Sequence, residues 1–519
     1  NGTQAKNDNT HHQQETANCT LVNNTYLCAF LRTPLLFYAY QTHTLFLHRL
    51  MVSTVSAAPQ RQSAQASSLQ YLAEVDAHTS PNQNLLPLSA AVNDQDHLVV
   101  GGCDVLDLVK EFGSPLYILD EQTLRTACQQ YKDSFAKHYP GESLIVYASK
   151  AWNCLAVCAI ASQEGIAIDV VSGGELQTAM AAGATGNMLY FHGNNKSLAE
   201  QSLGLEADAR IVVDNWHELK SLNQLAADAG KKATILLRQT KGIECHKHEY
   251  IQTGHLDSKF GFDPDQLESV FDFIAKKTSS IDCIGLHAHI GSQIFELQPH
   301  HDLAGVMMRW FQTASQYGIT IKEVDIGGGL GIRYTESDDP PSIDEWAKTV
   351  CESMAEVCKA SDLPFPRLLC EPGRSMVGSA CVTAYTVGGQ KTVPGIRTYI
   401  SVDGGMSDNP RPITYQSLYR VLAAGKMSAP LSDTVTMAGK HCESGDVVIH
   451  SASLPPLESG EIVVVPATGA YNYSMSSNYN RVPRPAAVLV NNGQADLILQ
   501  RETYEDLVRH DRLPDALKP

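Results

Sequence analysis

The sequence contains no Cys-x-x-Cys pair, and its 13 cysteines are odd in number and irregularly spaced. That excludes a zinc ribbon and a small disulfide framework, and it points to a reducing cytosol. Positive charge is also short. The 39 lysines and arginines face 56 aspartates and glutamates, and the net charge of −17 argues against a nucleic-acid partner. No uncharged apolar run reaches the ~18 residues that a membrane span needs, so no membrane partner is expected. The nearest approach, NTYLCAFLRTPLLFYAYQTHTLFLHRL at 24–50, is broken by Arg32, Pro34, His43, His48 and Arg49. A solenoid is excluded because no repeat of about 20–50 residues recurs.

What is present suits a soluble enzyme with a large core: 519 residues, 43% apolar and 18% charged, enough for two or three folded units. The first hundred residues differ from the rest. Residues 1–23 are rich in Asn, Thr, Gln and His, and Met51 opens a Ser/Ala/Gln-rich stretch. The expectation is that 1–50 is upstream sequence outside the native protein, disordered, with Met51 the natural start. A transit-like segment is the rival reading, and it would allow a plastid in place of the cytoplasm. Residues 51–95 read as a flexible tail.

From about residue 98, apolar runs alternate with helical patterns. LIVYAS (144–149), AIDVVS (167–172), NMLYFHG (187–193), ARIVVDN (209–215), ATILLRQ (233–239), CIGLHAHIGS (283–292), KEVDIGGG (322–329) and RLLCEPG (367–373) are separated by helical stretches such as PDQLESVFDFIAKK. Eight such strands in βα alternation are what a (β/α)8 barrel requires, expected over 123–380. Barrel enzymes build their sites at the C-terminal ends of the strands. Those ends carry Lys150, Asp169, His192, Asp214, Arg238, His287, His289, Gly327 to Gly329 and Glu371. After 380 the pattern becomes alternating strands with Gly/Asn turns, a β-domain over 381–519 to which 96–122 contributes the first strands.

Each motif alone admits a bland reading. GGGLG at 327–331 lets backbone N–H groups approach a phosphate, or is a tight loop; it fails the G-x-G-x-x-G pattern because Ile332 holds the sixth place. His287 and His289, two apart on a strand, put both rings on one side. They suit a metal pair with His192, His246 or His248, as in a metal-dependent barrel hydrolase, or an imidazole over a planar cofactor. Glu371 in EPGRSMVG is a general acid, a ligand, or a partner for a pyridinium nitrogen. Lys150, ending YASK, is a solvated cation or an amine poised for an aldehyde.

YASKA, DVVSGGEL, GNNKS, HEYIQTGHLDSKFG, GLHAHIGSQI, VDIGGGLG, EPGRSMVG, CESGD and GAYNYSMSSNYN, in this order over about 98–510, resemble the diaminopimelate decarboxylases. These are pyridoxal-phosphate enzymes of the alanine-racemase-like, fold-type III class. The resemblance implies that Lys150 forms the Schiff base and His289 stacks on the ring. Ser292, Gly327, Gly328 and Gly329 cradle the phosphate, and Glu371 pairs with the pyridine nitrogen. Arg374 serves cofactor region and substrate, Arg411 and Tyr415 in DNPRPITY bind substrate, and Tyr471 touches both. Cys442 protonates the α-carbon and Glu443 meets the distal amine. The CESGD loop is expected to enter a neighbouring subunit's pocket, making a homodimer with shared sites. No metal is implied. Arg411 with Glu443 favours meso-diaminopimelate, which carries a carboxylate and an ammonium at its far end, over ornithine, arginine or carboxynorspermidine. A non-catalytic pyridoxal-phosphate-binding relative is the remaining alternative.

Overall fold

The computed structural model describes residues 66–76, 78–240 and 258–518. The expected upstream segment 1–50, residues 51–65, and the candidate ligands His246 and His248 lie outside them. A small antiparallel sheet comes first, with β1 (Ala91–Val92), β2 (Leu98–Val100) and β3 (Cys103–Asp104). β4 (Leu116–Asp120) then leads into eight parallel strands: β5 (Ser143–Ala148), β6 (Ala167–Val170), β7 (Leu189–Phe191), β8 (Arg210–Val213), β9 (Ala233–Arg238), β10 (Ile281–His287), β11 (Glu323–Asp325) and β12 (Arg367–Cys370). They close into a barrel in sequence order, β12 pairing with β5, and each matches one of the eight windows read from the sequence.

The remaining strands are β13 (Cys381–Val393), β14 (Arg397–Val402), β15 (Leu422–Ala423), β16 (Asp433–Ala438), β17 (Val447–Leu454), β18 (Ile462–Val465), β19 (Ala486–Asn491) and β20 (Gln494–Leu499). They form one nine-stranded sheet with β4, which lies between β13 and β19. Thus the strand before the barrel is central to the sheet after it. β2 and β3 stay in their own sheet, yet Leu98 and Val100 share a core with Leu116, Val382 and Val488.

Period-2 alternation sorts the barrel's side chains. Leu144, Val146, Ala167, Tyr190, Val212, Leu236 and Leu369 form the apolar plug inside, while neighbours such as Ile145, Tyr147 and Ile168 pack outward against the helices. One strand step further along the inward face therefore come Asp169, His192, Asp214, Arg238 and Glu371. The helices start where side chains can satisfy their first N–H groups. The Ser172 hydroxyl accepts from Glu175 N, Asn215 from Glu218 N, and Ser197 with Glu200 closes a capping box.

Residues 80–92 depart from the expected flexible tail. Asn82 is fully buried and its amide donates to the carbonyls of Gly331 and Pro341 at 3.1 and 2.9 Å, and Leu85, Leu86 and Leu88 are buried beside it. The polar composition of the segment conceals the short apolar run NLLPL, which suffices to anchor it.

Candidate active site

The mouth of the barrel collects charge. Lys150 sits in the single turn Ser149–Ala151 that follows β5, its Nζ 3.7 Å from Asp169 Oδ2 at the end of β6. Burial works against the Lys150 ammonium, but the Asp169 carboxylate, helped by Tyr471 and Glu371, outweighs it and holds the amine above its ordinary value. An amine must be neutral to attack an aldehyde, so loading of an aldehyde cofactor onto cofactor-free protein should accelerate as pH rises. Asp169→Asn removes the stabilising charge, and we expect its pH–rate curve for cofactor uptake to move to lower pH than wild type. An unmoved curve would mean that Asp169 does not govern Lys150.

Glu371 stands one residue past β12, on the same face as Leu369 and two residues beyond it. His192 Nε2 lies 2.7 Å from Glu371 Oε1 and His287 Nε2 3.1 Å from Oε2. Burial raises the carboxyl, but the two imidazoles outweigh it and hold Glu371 well below the usual carboxylate range. His287 is pushed down to about 3, chiefly by burial, so it is a neutral ring donating a hydrogen bond to a carboxylate. Asp325, at the end of β11, is driven the other way by burial and by Glu371, well above its ordinary value, while its Oδ1 accepts from Gly327 N at 2.8 Å.

The two histidines of the HAH run separate. β10 ends at His287, which turns to Glu371, and His289 lies beyond the strand, where its Nδ1 accepts from Gly328 N at 3.3 Å. The metal pair His287/His289 therefore does not form. His192, His287 and Glu371 do bring one donor atom each within 4.8 Å of one another. The glycine turn is packed as tightly as its sequence implied. Gly327 has φ +66°, and a Cβ there would stand 2.7 Å from His289 Nδ1; at Gly328 it would strike the Glu371 carbonyl oxygen.

Above the turn, Arg374 donates to Ser292 Oγ at 2.9 Å and to the Tyr334 hydroxyl at 2.6 Å, and its guanidinium lies over the Tyr471 ring. Tyr471 holds φ +62°, a costly conformation for a bulky side chain, fixed by its N–H donating to Ala151 O next to Lys150. Buried Arg411 donates to the same Tyr334 hydroxyl at 2.6 Å and to Tyr419 at 2.9 Å. The turn before it is tied down by Asp408, whose carboxyl accepts from Gly405 N and Tyr385 OH and is raised by burial to about 7.

Among the described residues, three expected site residues, Tyr415, Cys442 and Glu443, form no hydrogen bond or ion pair with this group. Tyr415 is exposed at the end of the short helix Arg411–Tyr415. Cys442 and Glu443 lie on a loop braced by Asp446, which accepts from His441 N and Met406 N at 3.0 and 2.7 Å and takes the His441 Nδ1 contact at 2.7 Å. Asn480 accepts from Cys442 N. Cys442 is exposed, whereas the other nine cysteines among the described residues are buried. Among the described residues, the polar contacts of Cys442 and Glu443 stay within the loop and Asn480 and do not reach Lys150 or Glu371. Sequence reading placed Asp169, His192 and His287 at the strand ends and offered the two histidines only as metal ligands, not as partners of Glu371, and it missed Asp325 and Tyr334. Inward parity on β11 would have found Asp325; nothing local singles out Tyr334.

Residues 121–378 match the family model described as pyridoxal-dependent decarboxylase, pyridoxal binding domain. Over 454 residues the chain is 62% identical to a diaminopimelate decarboxylase of Synechocystis sp., covering 86% of this chain and 97% of that protein. The chain belongs to the diaminopimelate decarboxylase family. A Bacillus subtilis member is 43% identical, over 81% of this chain and 96% of its own length. The diaminopimelate decarboxylase of M. jannaschii, solved in complex with L-lysine, superposes with a TM-score of 0.78 at 29% identity, covering 85% of this chain and all of that one. Barrel and β-sheet domain together are thus the architecture of this family.

Proposed function

We propose that the chain decarboxylates meso-2,6-diaminopimelate to L-lysine and carbon dioxide with pyridoxal 5′-phosphate. The observation that carries this is Glu371, kept ionised by His192 and His287 at the barrel mouth into which Lys150 also opens. The residues fit the cofactor's three demands. Lys150 offers an amine for the aldehyde. Gly327, Gly328 and Gly329, where side chains would collide, offer an anion cradle with Ser292 and Arg374. Glu371 offers a carboxylate for the ring nitrogen, and His289, at the glycine turn, a ring to cover one face. Bound there, pyridoxal phosphate supplies an electron sink conjugated to the substrate's α-carbon.

The chain's own groups do the rest. Lys150 would hold the cofactor through its amine, which lies beside Asp169. Glu371 keeps a proton on the ring nitrogen, which makes the ring electron-poor. Arg374 and Arg411 bind the carboxylate at the end that is not decarboxylated, and Glu443 its ammonium. Tyr471, locked beside Ala151, closes the site against Arg374, and Tyr415 contributes from the rim. Cys442 delivers the proton to the α-carbon after carbon dioxide leaves.

Cys442 and Glu443 come from a second copy: in this chain their polar contacts stay within their loop and Asn480, and none reaches Lys150. Ile413, Tyr415 and Leu418 add exposed apolar surface near that loop, as the rim of a homodimer would. The ten described cysteines are all free, which suits a reducing cytoplasm. No helix among the described residues is long and apolar enough to cross a membrane.

The test is carbon dioxide release from meso-diaminopimelate, ornithine and arginine, with and without added pyridoxal phosphate. Cofactor-dependent release from diaminopimelate alone is expected. Release from ornithine or arginine instead would overturn the roles of Arg411 and Glu443, and no release from any substrate would overturn the activity.

A further inference from the structure

Tyr334 follows the glycine turn, is almost fully buried, and packs edge-on against Tyr419 with ring centroids 5.2 Å apart. Its hydroxyl oxygen is the shared acceptor of two cations, Arg374 Nη1 and Arg411 Nη1, each at 2.6 Å. Both guanidiniums also lie over its ring, Arg411 at 4.8 Å and Arg374 at 5.8 Å from the centroid. Among the described residues neither guanidinium forms an ion pair with a carboxylate. Two like charges so close, one buried and one partly buried, repel one another unless something of opposite polarity lies between them. Burial pushes the Tyr334 phenol up, but Arg374 and Arg411 together outweigh it and pull it below its ordinary value. The oxygen between them is the acceptor that both guanidiniums share.

We propose that Tyr334 is a positioning residue of substrate recognition: its hydroxyl oxygen holds Arg374 and Arg411 converged, so that the two act as one receptor for the carboxylate at the substrate end that keeps it. The proposal rests on the reading above that these arginines bind a substrate carboxylate. Arg374 comes from the turn after β12, Arg411 from the β-domain and Tyr334 from the loop after β11. A single oxygen therefore joins three separate parts of the chain at the point where the substrate's far end must be recognised. Without it, Arg374 keeps Ser292 and Arg411 keeps Tyr419, and the two cations are drawn apart.

Tyr334→Phe removes the oxygen and keeps the ring. The holoenzyme variant is compared with wild type for kcat and KM on meso-diaminopimelate. Binding of L-lysine, which retains the carboxylate, and of 1,5-diaminopentane, which lacks it, is read from the cofactor's absorbance. KM and the lysine Kd should rise about tenfold, the loss of one charge-assisted contact, with kcat and the diamine Kd changed by less than about threefold. Unchanged lysine binding would overturn the proposal, and so would equal weakening of lysine and diamine, which would mean general damage to the pocket. Tyr419→Phe, which removes a hydroxyl touching Arg411 but not Arg374, should weaken lysine less; an equal or larger effect would also overturn it. Because binding is read without turnover, wild-type protein that binds lysine but releases no carbon dioxide would sink the activity and leave the Tyr334 comparison standing.

Discussion

Lys150→Ala is expected to lower decarboxylation on the order of 10⁴-fold and to abolish the absorbance of lysine-bound cofactor. Lys150 follows β5 at the barrel mouth, its amine 3.7 Å from the Asp169 carboxylate, with Glu371 in the same ring of strand-end residues. Alanine removes both the covalent hold on the cofactor and the group that exchanges with the substrate amine. The fold should survive, since the turn Ser149–Ala151 is set by β5 and by Tyr471 N–H donating to Ala151 O rather than by the lysine side chain. The same variant tests the shared site. Mixed with Cys442→Ala and allowed to exchange subunits, it should regain about a quarter of wild-type activity, because half of the reassorted dimers then hold one intact site of two. Regained activity would fail to appear if Lys150 and Cys442 of one chain served the same site. Residual activity near wild type in Lys150→Ala alone would remove the lysine from the chemistry.

Glu371→Gln is expected to cost about 10²–10³-fold in kcat while the cofactor stays bound and KM changes little. Glutamine matches the shape, so the hydrogen bond from the neutral His287 ring survives; what goes is the negative charge. An amide cannot hold a proton on a ring nitrogen, so the electron sink that the cofactor would supply is weakened. The carboxylate's depressed pKa predicts a further property. Glu371 stays ionised across the working pH range, and the acidic limb of the rate profile should not move with it. A variant with kcat close to wild type would show that ring protonation is not supplied by Glu371, and would turn attention to His192 or Asp325.

The barrel was legible because its information is local and periodic. Each strand shows as a short apolar run between helical stretches, and alternation places Asp169, His192, Asp214, Arg238 and Glu371 inward one step above the apolar layer. Glycine punctuation was equally readable at 327–329, where the turn leaves no room for a Cβ. Periodicity failed where the strand stopped. His287 and His289 were expected on one side, but β10 ends at His287 and the chain then turns, so one ring serves Glu371 and the other the glycine loop. Composition failed at 80–92, where three leucines and one buried asparagine outweigh the polar residues around them.

By itself, then, the sequence determined the eight strands, the face on which the chemistry sits, and the residue types available there, because these follow from spacing along a single stretch of chain. Only the tertiary structure decided which of those residues meet. Tyr334, Arg374 and Arg411 converge from three segments, and Glu371 gains its ionised state from histidines at the ends of two other strands. The charge of a buried group depends on what surrounds it, and the surroundings exist only once distant segments have packed.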